Sequence, residues 1–195
     1  MLNNKFKSFL MISLIVILIT PGQLKADEVM VNLYPEKANL WYFHCPEKGF
    51  NFYFLNVWPN NYLLTKFAPP TFKISESLSF QIAVGPDLAL KADKFSDLFE
   101  SFTADIMPIF SKGDFFVFLV NEFGINKDGK FIHFLRHTAT YKDIGVRFMT
   151  CGTFGEKVNY LFLGPVFKAG KLQLWVAKDF QNEKWQIEFT FNIKL

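Results

Sequence analysis

The chain ends Trp185-Gln186-Ile187-Glu188-Phe189-Thr190-Phe191-Asn192-Ile193-Lys194-Leu195, and in this stretch every odd position is apolar and every even one polar. Successive side chains of a strand point to opposite faces, so the segment predicts a β-strand with one greasy and one polar face. A second run repeats the pattern. Phe72, Ile74, Leu78, Phe80, Ile82 and Val84 alternate with Lys73, Ser75, Ser77, Ser79 and Gln81, and Glu76 is its only fault.

Working outward, further runs rich in Phe, Ile, Val, Leu and Tyr are separated by turn clusters. They are Leu40 to Cys45, Phe50 to Trp58, Asp114 to Gly124, Phe131 to Thr138, Ile144 to Thr150, Val158 to Phe167 and Leu172 to Phe180. The runs 114–124 and 158–167 are apolar on both faces in part, and Pro165 counts against a central strand. Tight turns are expected at 111–114 and 168–171, with further reversals at 126–129 and 181–184. One stretch competes: Phe95, Leu98, Phe99 and Phe102 behind Asp93 have helical spacing, so a short helix near 93–100 is expected before a strand from about 101.

The N-terminus reads as a targeting signal. Lys5 and Lys7 precede an apolar run from Phe9 to Ile19, then Pro21-Gly22, then Ala26 before Asp27-Glu28. The expectation is a signal peptide over 1–26 and a single β-barrel domain over 27–195. The leader holds three lysines and no acid, leaving 18 basic against 18 acidic residues in the remainder. With no net charge there is no electrostatic footprint for nucleic acid. No later segment has the roughly 20 apolar residues of a spanning helix, so any membrane insertion would use strands closed into a barrel.

Alternation alone does not say which way the apolar face points. Runs of about ten residues match a tilted transmembrane strand, turns alternate between short and long, and Phe167, Phe180 and Trp185 stand near strand ends as interfacial aromatics would. The fold expected is an all-β, antiparallel, up-and-down transmembrane β-barrel of about 8–10 strands. The alternative is a soluble secreted or periplasmic β-sandwich or lipocalin-like binding protein.

The terminal Phe189-Thr190-Phe191-Asn192-Ile193-Lys194-Leu195 resembles the C-terminal targeting strand of Gram-negative outer-membrane β-barrels, with Leu195 where that family usually has an aromatic residue. The resemblance implies an outer-membrane location in contact with lipid, recognition by the barrel-assembly machinery, and closure of the last strand against the first. It covers the last eleven residues and names no particular channel, adhesin or enzyme.

Laid out with the C-terminus periplasmic, the expected strands place Cys45 and Cys151 at the ends of two upward strands, which would allow a disulfide if they come within about 7 Å. The expected lumen charges are Glu122, Arg136, Arg147, Glu188 and Lys194. They read either as a neutralising network supporting the wall or as a small polar or anion-selective passage lined by Arg136 and Arg147. No metal site, cofactor or catalytic residue is expected: G-x-S-x-G, H-E-x-x-H, G-x-x-x-x-G-K-[ST] and C-x-x-C are absent from the sequence. His133 and His137 would lie about 13 Å apart on one strand face, too far for one metal ion. His137-Thr138-Ala139-Thr140 sets a histidine beside hydroxyls, the minor alternative being a lipid-modifying barrel enzyme. The function expected is a structural or narrow-pore role without catalysis.

Overall fold

The computed structural model describes residues 28–33, 38–44, 51–58, 62–89 and 99–194. Every regular element in them is a strand: β1 (Glu28–Leu33), β2 (Ala38–His44), β3 (Asn51–Trp58), β4 (Tyr62–Ala68), β5 (Phe72–Lys73), β6 (Leu78–Ala89), β7 (Phe99–Lys112), β8 (Phe115–Asn126), β9 (Phe131–Tyr141), β10 (Ile144–Thr153), β11 (Tyr160–Ala169), β12 (Leu172–Asp179) and β13 (Lys184–Lys194).

Twelve of these pair antiparallel with their sequence neighbours, and the ladder returns on itself. β1 pairs with β13 (Val31 opposite Phe191), and β4 pairs with β6 (Phe67 opposite Val84). Closure gives each of the twelve ring strands a partner on both sides, the condition for spanning a bilayer with strands. The count is twelve rather than the expected 8–10, and the two additional staves are β1 and β4. β1 is short, six residues. In β4 the sequence Tyr62-Leu63-Leu64 hides the alternation, because the inward Leu64 is itself apolar and buried.

The run read as one strand from Phe72 to Val84 is two elements. The chain bends over Ile74–Ser77, around the single fault at Glu76, so that β5 folds back on β6 with Phe72 opposite Phe80. The short helix expected near 93–100 falls partly outside the described residues, and its last two positions, Phe99 and Glu100, are strand. The expected signal peptide also lies outside them.

From β7 to β13 the turns differ between the two ends. At one end β7–β8, β9–β10 and β11–β12 are joined by two residues each, with Gly113, Lys142 and Gly170 at positive φ (58°, 52° and 59°). Positive φ is what tight hairpins between right-twisted strands require. At the other end, 127–130, 154–159 and 180–183 make longer connections. β13 runs toward the end that carries these three hairpins, where the longer connection 69–77 between β4 and β6 also lies.

The prolines sit where the ladder yields. Pro108 in β7 has no N–H to give; pairing with β8 skips Met107 and Pro108, and the Asn121 side-chain amide donates to Ile106 O at 3.0 Å. Pro165 is accommodated similarly. The β11–β12 ladder skips Gly164 and Pro165, and Trp175 Nε1 donates to Gly164 O at 3.2 Å.

Two facts fix the sidedness of the wall. In β13, Phe189 is 42% exposed while Glu188, its neighbour, is 0% exposed. Around the ring Phe67, Ile82, Val84, Phe102, Ile106 and Val146 are exposed, whereas Lys66, Gln81, Asp105, Thr138, Arg147 and Thr190 are buried. The greasy face points out and the polar face in. A lipocalin-like binder would have the opposite sense, with its apolar face lining the cavity.

Candidate functional site

The inward positions converge on two ion-pair clusters. In the first, Lys66 of β4 reaches Asp105 of β7 and Glu122 of β8 with its ammonium. β6 lies between β4 and β7 and contributes Asp87, whose carboxylate accepts from the Ser101 hydroxyl. Gly85 lies behind Lys66 in this wall. A Cβ there would come 1.8 Å from Thr65 O and 2.9 Å from Lys66 Cα, so only glycine lets β4 and β6 approach at this point.

The second cluster joins β9, β10, β12 and β13. Glu188 Oε1 accepts from Arg136 Nη2 at 2.7 Å, from Arg147 Nη1 at 2.8 Å and from Thr190 Oγ1 at 2.8 Å. Arg147 also donates through Nε to Thr138 Oγ1 at 3.0 Å and through Nη2 to the Gln173 amide oxygen. Its guanidinium stacks over Trp175, 5.2 Å from the ring centroid. Nearby, Lys168 Nζ donates to Thr140 Oγ1 at 3.1 Å.

These contacts span the curve of the wall. Arg136 and Glu188 touch although β10, β11 and β12 stand between their strands. Lys66 and Glu122 touch across β6 and β7. The lumen at these levels is therefore narrow, and its side chains meet one another over it. Apolar groups fill other levels: Met149, Phe162, Val166, Trp175 and Ala177 form one buried cluster, and Ala68, Ala83 and Met107 another.

Of the five lumen charges read from the sequence, the structure brings Arg136, Arg147 and Glu188 into one cluster and places Glu122 in the other. Lys194 is paired through its backbone with Glu28, and its side chain lies outside what is described. Sequence reading missed Lys66, which pairs with Glu122, and the acids Asp105 and Asp87 of the same wall. The available signal for Lys66 was its parity with Leu64 and Ala68 inside β4.

Cys45 lies outside the described residues. The layout in which the strands before Cys45 and Cys151 both run upward does not hold, because an unrecognised β4 reverses the direction of everything before it. β2, which stops at His44, runs opposite to β10, so its end lies at the barrel end where β10 begins, whereas Cys151 is near the end of β10. The hydroxyls beside His137 also separate. His137 Nε2 is 2.9 Å from Asn121 Oδ1 on the outward side, whereas Thr138 faces in to Arg147. His133 packs against Phe154, ring centroids 5.0 Å apart.

No family model matches this chain, and no curated protein matches it in sequence. Among solved structures, one described as a KdgM porin is similar over 86% of this chain and 96% of its own length, with a TM-score of 0.52 and 11% identity. Ring closure, outward apolar face and this likeness agree: the chain has the fold of an outer-membrane β-barrel.

Proposed function

We propose that this chain is an outer-membrane barrel that forms a narrow pore for small solutes, without catalysis. The observation that carries the reading is the sidedness of the wall: a lipid-compatible apolar exterior around an interior lined by Lys66, Asp105, Glu122, Arg136, Arg147 and Glu188. Charges held inside a barrel are retained at a desolvation cost, and a polar passage is the use that gives them solvent and solute to meet. The similar porin structure supports the fold on which the reading stands. Outer-membrane location and recognition of β13 by an assembly machinery belong to the same proposal.

The test is conductance in planar bilayers, with the folded state checked by heat-modifiable migration on gels. Discrete low-conductance steps, altered by Arg147→Ala, are the expected result. A second reading, a closed barrel with a structural role, is favoured by Trp175, wholly buried within the apolar interior cluster. A folded barrel without conductance selects it.

A further inference from the structure

We infer that the outward face of β8 and β9 is where two copies of this barrel meet side by side in the membrane, through reciprocal hydrogen bonds from Asn121 of each copy to His137 of the other. The inference rests on the barrel fold and not on the pore reading, so it stands or falls separately from conductance.

The two residues lie in the middle of the apolar band. On β9 the outward Phe131 and Tyr141, 63% and 61% exposed, mark the two rims, and His137 is six residues from one and four from the other. On β8 Asn121 stands six residues from the outward Phe115 and four from Ile125. At about 3.3 Å per residue and a tilt of about 40°, four residues put each about 10 Å from the nearer rim of a band about 25 Å tall. Elsewhere on the wall, Ile82, Ile106, Val146, Leu163 and Ile187 fill outward positions with side chains that suit hydrocarbon.

The hydrogen bonds around Asn121 fix which groups remain. Its amide nitrogen donates to Ile106 O at 3.0 Å, where Pro108 interrupts the β7–β8 ladder. The amide oxygen therefore faces His137 Nε2, 2.9 Å away. An amide oxygen only accepts, so Nε2 carries the proton, and Nδ1 of the neutral ring is left as an acceptor. Neither the second amide N–H of Asn121 nor His137 Nδ1 has a partner among the described residues. The outward face of each barrel thus holds one unused donor and one unused acceptor at mid-depth.

Lipid tails satisfy neither group, and an unsatisfied polar group in hydrocarbon is costly. A second copy satisfies both. A two-fold axis along the membrane normal, passing between Asn121 and His137, sets each Asn121 against the other copy's His137 and keeps both barrels at one depth with their rims aligned. Leu119 and Phe148, opposite His137 on β8 and β10, flank the contact. Lipid tails are as apolar as these two residues, so the unpaired polar groups are what favours protein over lipid here.

The test uses the full barrel in phosphatidylcholine vesicles, with folding checked by heat-modifiable migration. Energy transfer between donor- and acceptor-labelled copies of the unaltered protein, followed as lipid is added, gives the dissociation constant. A photo-crosslinking side chain in place of Leu119 should yield a species of twice the mass. One in place of Ile187, on β13 and four staves from β9, should not. His137→Phe keeps a ring and removes the acceptor. It should raise the dissociation constant about eightfold, the loss of two membrane hydrogen bonds of average strength, and His137→Gln should recover part of that. Energy transfer no greater than random proximity gives, at every dilution, leaves lipid or a different protein on this face and overturns the inference. Cross-linking from position 187 but not from 119 overturns it too, as does a dissociation constant unmoved by His137→Phe. If His137→Phe does not fold, energy transfer in the unaltered protein and the position of the cross-link decide.

Discussion

Glu188→Gln probes the interior most sharply. One carboxylate oxygen, fully buried, accepts from two guanidiniums and a hydroxyl. The amide keeps the shape but removes the charge, leaving Arg136 and Arg147 buried around a neutral group. Removing one partner of a buried pair costs about 3–5 kcal/mol, because the remaining charge stays desolvated. With a urea dependence of about 2 kcal/mol per molar, that loss lowers the unfolding midpoint by about 1.5–2.5 M. The assay is urea titration of the barrel in lipid vesicles, followed by tryptophan fluorescence and heat-modifiable migration. The surface pair Lys130–Glu156, with both side chains more than half exposed, is the internal control: Glu156→Gln should not move the midpoint measurably. Midpoints equal for both variants would refute the claim that Glu188 holds the lumen wall together.

Three further outcomes follow from the same geometry. Val146→Arg or Phe189→Arg places a charge on the outward face and should cost up to about 2–4 kcal/mol near the bilayer midplane, read as lost folding yield in vesicles; Thr138→Val, on the inward face, should not show that depth-dependent loss. Gly164→Ala would bring a Cβ within 1.9 Å of Val176 O and 2.6 Å of Ala177 Cα, so β11 and β12 must part locally; a lower midpoint and weaker amide protection in both strands are expected. Val31→Pro removes a backbone donor from β1, which is paired on both sides, and should weaken closure, seen as loss of the compact gel form.

The sequence showed most where the two faces meet the most different surroundings. β13 is legible because its odd residues face outward and its even residues meet charge and hydroxyls, so chemistry and parity coincide. β8 and β11 blurred because their inward faces join apolar interior clusters: Phe118 and Val120 pack near Met107, and Phe162 and Val166 pack near Trp175. β4 was invisible for the same reason at Leu64, and losing one stave reversed the apparent direction of β2 and β3. The pairings of the site were not legible at all. Lys66 and Asp105 are 39 positions apart, and Arg136 and Glu188 are 52 apart, brought together only by ring closure. Local alternation identifies a wall; it does not say which staves face each other across it.

The central claim is that the apolar face of this barrel meets lipid. Spin labels placed singly at positions 185 to 191 of β13, in barrels reconstituted into vesicles, measure it directly through relaxation by lipid-soluble oxygen. Accessibility should rise at 187, 189 and 191 and fall at 186, 188 and 190. An absence of that alternation, or oxygen reaching the even positions instead, would contradict the account.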